Sequence, residues 1–178
     1  MVLVHTVAPA QSKKEIKKLG IKTTTITVTE TINGKENTHK ESFEKYDKAA
    51  NVVEDVEYNK DGTFKKRETH KYNKNDDVTE EIVYNEKGVV NRKTTFVYND
   101  DDKKKEELSV DANGKIIEHI KFDYNANGEK TMELVVDDKG KTLKKSIYSY
   151  DKNGLKKEKK IYNGSNQLIA VKKYSYQF

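Results

Sequence analysis

The segment EYNKDGTFKKRE, Glu57 to Glu68, sets out oxygen ligands nearly as a calcium loop does. It offers an acid first, then Asn59, Asp61 and Gly62 at alternating and adjacent places, and Glu68 at the end. The first position holds Glu where Asp is usual, and Tyr58 and Phe64 have the character of strand residues. The competing reading is a hairpin turn, because Asx-x-x-Gly arises from turn chemistry alone. DYNANGEKTMEL has a similar shape, but its acid Glu133 falls one position early. His5, His39, His70 and His119 are the other ligand or acid–base candidates; they lie far apart along the chain, and a shared site would need distant strands to meet. Glu80/Glu81 and Glu106/Glu107 alternate faces on a strand, so they read as partners of cross-strand lysines rather than as an acid/base couple. The sequence contains no Gly-x-Ser-x-Gly elbow, phosphate-cradling glycine loop or His-Glu-x-x-His helix. Hence no residue is assigned as catalytic, cofactor-binding or metal-ligating, and the chain reads as non-enzymatic.

Lysine is the other chemistry in quantity. Lys103 to Lys105, Lys144 and Lys145, Lys156 and Lys157, Lys159 and Lys160, and Lys172 and Lys173 form clusters suited to an anionic glycan. The same residues along strands would also keep sheet edges from pairing with other chains. The 35 basic residues against 30 acidic ones give +5, and most basic residues sit close to acidic ones. That patterning implies neutralised, solvated surfaces and argues against a nucleic-acid stripe. Cysteine is absent, which excludes disulfides, thiolate metal sites and thiol nucleophiles. Hydrophobic residues make up 33% of the 178 residues and charged residues 37%, so one domain with a thin core is expected.

The elements that must carry these side chains come from a repeat. Ile32, Tyr46, Tyr58, Tyr72, Tyr84, Tyr98, Val110, Tyr124, Val136, Tyr150 and Tyr162 are each followed by Asn or Asp, at intervals alternating between 14 and 12. One further step of 14 reaches Tyr176. This is a 26-residue repeat of two unequal halves. Gly62, Gly88, Gly114, Gly128, Gly140 and Gly154 fall four residues after a marker, and Gly34 and Gly164 fall two after. Asx opens the turn and glycine takes the positive-φ corner, which makes a type I turn with a G1 bulge. Between turns, stretches such as KIIEHIKFDY and VVNRKTTFVY are rich in strand formers and free of proline.

The expected fold is therefore all-β: an antiparallel up-and-down meander of about twelve strands built from hairpin repeats. Both intervals being even, the markers are expected on one sheet face, with each tyrosine ring packed there and its hydroxyl reaching solvent. The unequal halves imply a register slip of about two residues per hairpin. That stagger would curl the sheet into an open or flattened barrel with the tyrosine face inside; the alternative is a single-layer sheet held by Lys–Glu pairs. The predicted organisation is residues 1–10 as the remnant of an export signal, 11–22 as an N-terminal segment and 23–178 as one β-repeat domain.

Tyr150-Asp151-Lys152-Asn153-Gly154-Leu155 and Tyr124-Asn125-Ala126-Asn127-Gly128 resemble the YD repeats of Rhs-type exported bacterial proteins. The resemblance covers roughly residues 32 to 178 and implies an exported β-repeat protein. The chain departs from that pattern in preferring Asn to Asp and in its strict interval alternation. Export, to periplasm or cell surface, is also suggested by the apolar start MVLVHTVAPAQS, in which Ala8-Pro9-Ala10 is a small-x-small pattern before Gln11. The alternating Tyr174, Tyr176 and Phe178 resemble the last strand of an outer-membrane barrel. Lysines and glutamate on both faces of Leu155 to Tyr162 oppose a lipid-facing band, at about 2–4 kcal/mol per mid-membrane Lys or Arg. The expected function is an exported, non-enzymatic binding or structural module of the cell envelope, with an unknown protein or anionic glycan as partner and no cofactor. The alternatives are a self-assembling sheet joined through edge strands and, further off, a membrane barrel or a hydrolase.

Overall fold

A computed structural model describes residues 13–32 and 35–176. The apolar leader with His5 and Ala8-Pro9-Ala10, the pair Asn33-Gly34 and the terminal Phe178 lie outside the described residues. One short helix, α1 (Lys13–Leu19), falls in the N-terminal segment. Twelve strands follow: β1 (Thr23–Ile32), β2 (Lys35–Tyr46), β3 (Val52–Tyr58), β4 (Phe64–Tyr72), β5 (Val78–Tyr84) and β6 (Val90–Tyr98), then β7 (Lys104–Asp111), β8 (Ile116–Tyr124), β9 (Lys130–Val136), β10 (Thr142–Tyr150), β11 (Lys156–Asn163) and β12 (Leu168–Lys173). They form one antiparallel sheet in sequence order. Among the described residues each strand touches only its neighbours in the chain, so the sheet stays open and does not close into a barrel.

The turns explain the order. From Tyr46↔Val52 to Tyr162↔Leu168, ten hairpins close over five residues. In nine of them the Asx after the marker accepts two turn N–H groups through its Oδ1, as Asn85 does from Lys87 and Val89. The fourth turn position has positive φ in all ten: six glycines, together with Ala50, Asp76, Asp102 and Asn166. Four residues other than glycine thus accept the left-handed corner, because the Asx bonds and the paired strands hold the turn shut. The first hairpin departs from the pattern, with β1 and β2 paired as far as Ile32↔Lys35.

The predicted slip is present. Val56 pairs with Arg67 and Arg67 with Tyr84, so Val56 lies level with Tyr84, two residues beyond its repeat equivalent Ile82. The expectation that all markers share a face is corrected by the same pairings. Tyr84 pairs with Val90 but Val83 with Arg92, so Asn91 is a bulge residue, and the same shift flips the side-chain alternation beside each of the ten five-residue turns. Tyr46, Tyr72, Tyr98, Tyr124 and Tyr150 consequently occupy one face, called here the first. Tyr58, Tyr84 and Tyr162 occupy the second.

Neither face has a continuous core. The buried apolar side chains among the described residues include Val83, Tyr148 and Ile161 on the first face and Val56 and Val136 on the second. Thr94 and Ser109, both buried on the first face, bond hydroxyl to hydroxyl at 2.9 Å. Cross-strand ion pairs fill the spaces between them: Glu80 lies 2.6 Å from Lys71 and 2.7 Å from Lys93. Such pairs, each with a solvent-exposed lysine, contribute about 0.2–1 kcal/mol each. Stability is therefore spread over neighbouring strands, as in other repeat architectures. At one end Ile16 of α1 forms a small apolar cluster with Tyr46 and Ala50, while Lys13 Nζ reaches Asn51 at 2.6 Å and Asp76 at 3.0 Å.

Candidate functional site

On the first face five tyrosine hydroxyls are engaged by backbone rather than by solvent. Tyr72, Tyr98, Tyr124, Tyr150 and Tyr176 donate to the carbonyls of Val52, Val78, Lys104, Lys130 and Lys156, at 2.7 to 2.9 Å. The slip is the cause. Registered pairing of β3 with β4 begins at Glu54, and of β5 with β6 at Glu80, which leaves Val52 and Val78 two residues outside the ladder. Each phenol supplies the donor that the next strand no longer provides. Burial pushes the Tyr72, Tyr98, Tyr124 and Tyr150 phenols above their ordinary range. Tyr46 donates instead to Thr24 Oγ1 at 3.2 Å and also bonds Glu44.

The residues holding these acceptor carbonyls form a series of their own. They are Val52 and Val78, then Lys104, Lys130 and Lys156, at intervals of one repeat. Two residues before the marker tyrosines of the first face, Glu44 and His70 give way to Phe96, Phe122 and Tyr148. The changes are coupled in space, since each lysine lies over the aromatic ring on the preceding strand: Lys104 over Phe96 at 4.2 Å, Lys130 over Phe122 at 4.9 Å and Lys156 over Tyr148 at 5.7 Å. An ammonium at these distances is held by the ring quadrupole. Read along the first face, β6 to β11 thus carry a row of alternating cations and rings.

Charge balance within the row changes along its length. Lys104 pairs with Glu107 at 3.1 Å and Lys130 with Glu133 at 3.0 Å. The repeat-equivalent partner of Lys156 is Lys159, so the pairing is lost and a cation added. Lys159 turns to the same ring as its neighbours, and Tyr148 has Lys130, Lys156 and Lys159 at 5.0, 5.7 and 4.9 Å from its centroid. Glu133 is the acid in contact with this group, accepting from the Tyr148 hydroxyl at 2.9 Å. Burial would raise the Glu133 carboxyl, but the Lys130 and Tyr148 hydrogen bonds outweigh it and hold the group below its ordinary value. The Tyr148 phenol is pushed up to about 12 by burial and then by its bond to Glu133. Three cations about one acid form an excess of positive charge over a buried aromatic ring. Such a surface suits a sulfate, carboxylate or phosphate carried on a larger molecule.

The earlier candidates fall elsewhere. Around Glu57–Glu68 the oxygens are used locally: Asp61 accepts from the Thr63 N–H at 2.9 Å, Asn59 donates to Thr63 Oγ1 at 3.0 Å, Glu57 pairs with Lys65 and Glu68 with Lys66. His119 bonds Glu106 on the second face, while His70 lies on the first, 3.8 Å from Glu81. Glu80 and Glu81 point to opposite faces, as the strand alternation requires, and Glu81 meets Arg92 at 3.1 Å. Among the described residues no three His, Asp or Glu side chains stand close enough to share a metal ion, and no helix is long and apolar enough to cross a membrane. Lys156 and Lys159 belong to the lysine clusters seen in the sequence; Lys130 does not, and the coupling of lysines to rings went unread. Its signal is the substitution of Val by Lys at one repeat position in step with the arrival of Phe and Tyr at another.

No protein-family model and no curated protein matches the chain. Solved structures similar to it include a porin-like protein from Bacteroides uniformis, at 14% identity over 79% of this chain and 54% of that one, with a TM-score of 0.37. The Tc holotoxin pore of Photorhabdus luminescens matches at 8% identity over 83% of this chain and 11% of that one, with a TM-score of 0.32. A protein of unknown function from Bacteroides fragilis matches at 16% identity over 88% and 96%, with a TM-score of 0.27. The chain thus spans about half the length of the porin-like protein and about a tenth of the toxin chain. All three TM-scores lie below 0.5.

Proposed function

We propose that this chain is an exported, non-enzymatic β-repeat module that binds an anionic polymer of the cell envelope through the lysine and aromatic row of its first face. The observation that carries this reading is the convergence of Lys130, Lys156 and Lys159 on the Tyr148 ring, with Glu133 as the one acid among the described residues that pairs with any of them. A row repeating from strand to strand suits a ligand that is itself a repeating chain, because successive anionic groups can meet successive cations. The apolar start ending in Ala8-Pro9-Ala10 and the YD-like turn units support export. The test is a pull-down from envelope extract of the source organism with the purified chain as bait, at low and high salt. Retention of an anionic glycan that is released by salt is the expected result. Retention of a protein whose binding is indifferent to salt would overturn the polymer reading.

A further inference from the structure

The two outer ends of the sheet carry opposite charge. Residues 23–58, which build β1 to β3, hold four lysines against eight Asp and Glu, net −4. Residues 142–178, which include β10 to β12, hold nine lysines against two acids, net +7. At about 4.8 Å per strand the edges of the 12-stranded sheet lie about 50 Å apart along its surface. That is several times the roughly 8 Å screening length at physiological salt, so the two ends do not neutralise each other within one chain.

Both edges also present unpaired backbone. Every residue of β12 is exposed, Leu168 at 52% and Ile169 at 59%, and among the described residues no strand lies beyond it. At the other edge β1 (TTTITVTETI) is made almost wholly of β-branched residues, carries no lysine and, among the described residues, pairs with β2 alone. With twelve antiparallel strands, β1 and β12 run in opposite directions. A β1 strand placed beside β12 would therefore continue the antiparallel alternation.

We infer that the β12 edge pairs with the β1 edge of a second copy of this chain, head to tail, so that the sheet continues from one molecule into the next. Lys172 and Lys173 set the polarity. Two β12 edges would bring lysine pairs together, whereas a β1 edge brings the acidic end of the sheet. The contact is heterologous and does not close, so it adds copies without limit. It needs no ligand and does not rest on polymer binding.

Backbone geometry supplies variants that block each edge separately. The Tyr174 N–H donates inward to Lys157 O, so the N–H of Val171 points outward. The Tyr46 N–H donates to Lys22 O, which makes the even residues of β1 inward and leaves the Thr25 N–H outward. Val171→Pro and Thr25→Pro each remove an outward donor and touch no lysine, so polymer binding can be followed on the same proteins. Sedimentation equilibrium of the full chain at low salt should show a mass that rises with concentration past the dimer and falls when salt is added. Each variant alone should be monomeric, and their equimolar mixture should form dimers and nothing larger. A native chain that stays monomeric at millimolar concentration overturns the inference, as does a Thr25→Pro chain that dimerises alone. Melting curves check that each variant is folded. If Val171→Pro is not, Lys172→Glu with Lys173→Glu replaces it, with loss of association again expected and unchanged association contradicting it.

Discussion

The Tyr98 hydroxyl donates to the Val78 carbonyl at 2.7 Å, reaching from the end of β6 to the start of β5. The repeat-equivalent bond joins Tyr124 to Lys104 at 2.8 Å. In both cases the acceptor lies outside the ladder between its own strand and the tyrosine's, because the register has slipped. The same slip that tilts the strands therefore creates the need that the tyrosine meets.

Replacing Tyr98 by Phe keeps the ring and leaves the Val78 carbonyl without its donor. The expected cost is about 1 kcal/mol in urea denaturation, the ordinary net value of one hydrogen bond at a half-buried site. Tyr84→Phe is the control. Tyr84 lies on the second face with the Arg67 guanidinium 4.7 Å from its ring centroid, and the hydroxyl contributes little to that contact. Its stability should match the parent within a few tenths of a kcal/mol.

The turns test two separate uses of glycine. Gly88 has φ +72° and open space where a Cβ would stand, so Gly88→Ala should lose about 1 kcal/mol through backbone strain. Gly88→Asn should recover much of that, since Asn166 already holds the same corner at φ 60°. Gly164 differs: a Cβ there would stand 2.9 Å from the Thr142 carbonyl oxygen. Gly164→Ala should destabilise through that clash, and Gly164→Asn should give no recovery. Melting temperatures of the four variants distinguish the mechanisms.

Titration of Tyr148 sets the alkaline limit. Its phenol is raised from 10.0 to about 12 in the folded chain, so the stability it contributes is complete below pH 10 and lost as pH rises towards 12. The stapling phenols, also raised, act in the same direction. Glu133 has the opposite sign: its folded value is lowered, so its contribution is present above the ordinary carboxylate range and fades as pH falls through the folded value. Tyr148→Phe should flatten the fall in stability above pH 10, measured by urea midpoints across pH.

Because strands contact only their neighbours, damage should stay local. Ile16→Ala opens the small cluster with Tyr46 and Ala50, at a cost of about 2 kcal/mol. Hydrogen exchange should quicken in β1 to β3 and remain unchanged in β9 to β11.

Much of this fold was legible in the sequence, because Asx and glycine at fixed offsets specify the turn, and unequal intervals specify the slip. The face assignment was not, because the glycine corner at Gly88 leaves Tyr84 opposite Val90 and keeps the count even. A second bulge, at Asn91 just inside the returning strand, adds one residue, so counting in twos from Tyr84 to Tyr98 crosses from one face to the other there. Positive φ at Ala50 and Asp76 was likewise hidden, since neither residue announces that corner. The candidate site was half legible. Lysine clusters stand out in the sequence, yet Lys130 joins Lys156 and Lys159 only through the Tyr148 ring, and their excess over Glu133 depends on cross-strand neighbours.

The most direct test of the account is titration of the chain with dextran sulfate at low salt, comparing two triple variants of equal charge change. Lys130→Gln with Lys156→Gln and Lys159→Gln empties the row about Tyr148; Lys60→Gln with Lys65→Gln and Lys71→Gln removes lysines of β4 and its flanking turn. The first set should abolish most binding and the second should leave it nearly intact. Equal losses from both would mean that net charge alone attracts the polymer, and would contradict a site on the first face.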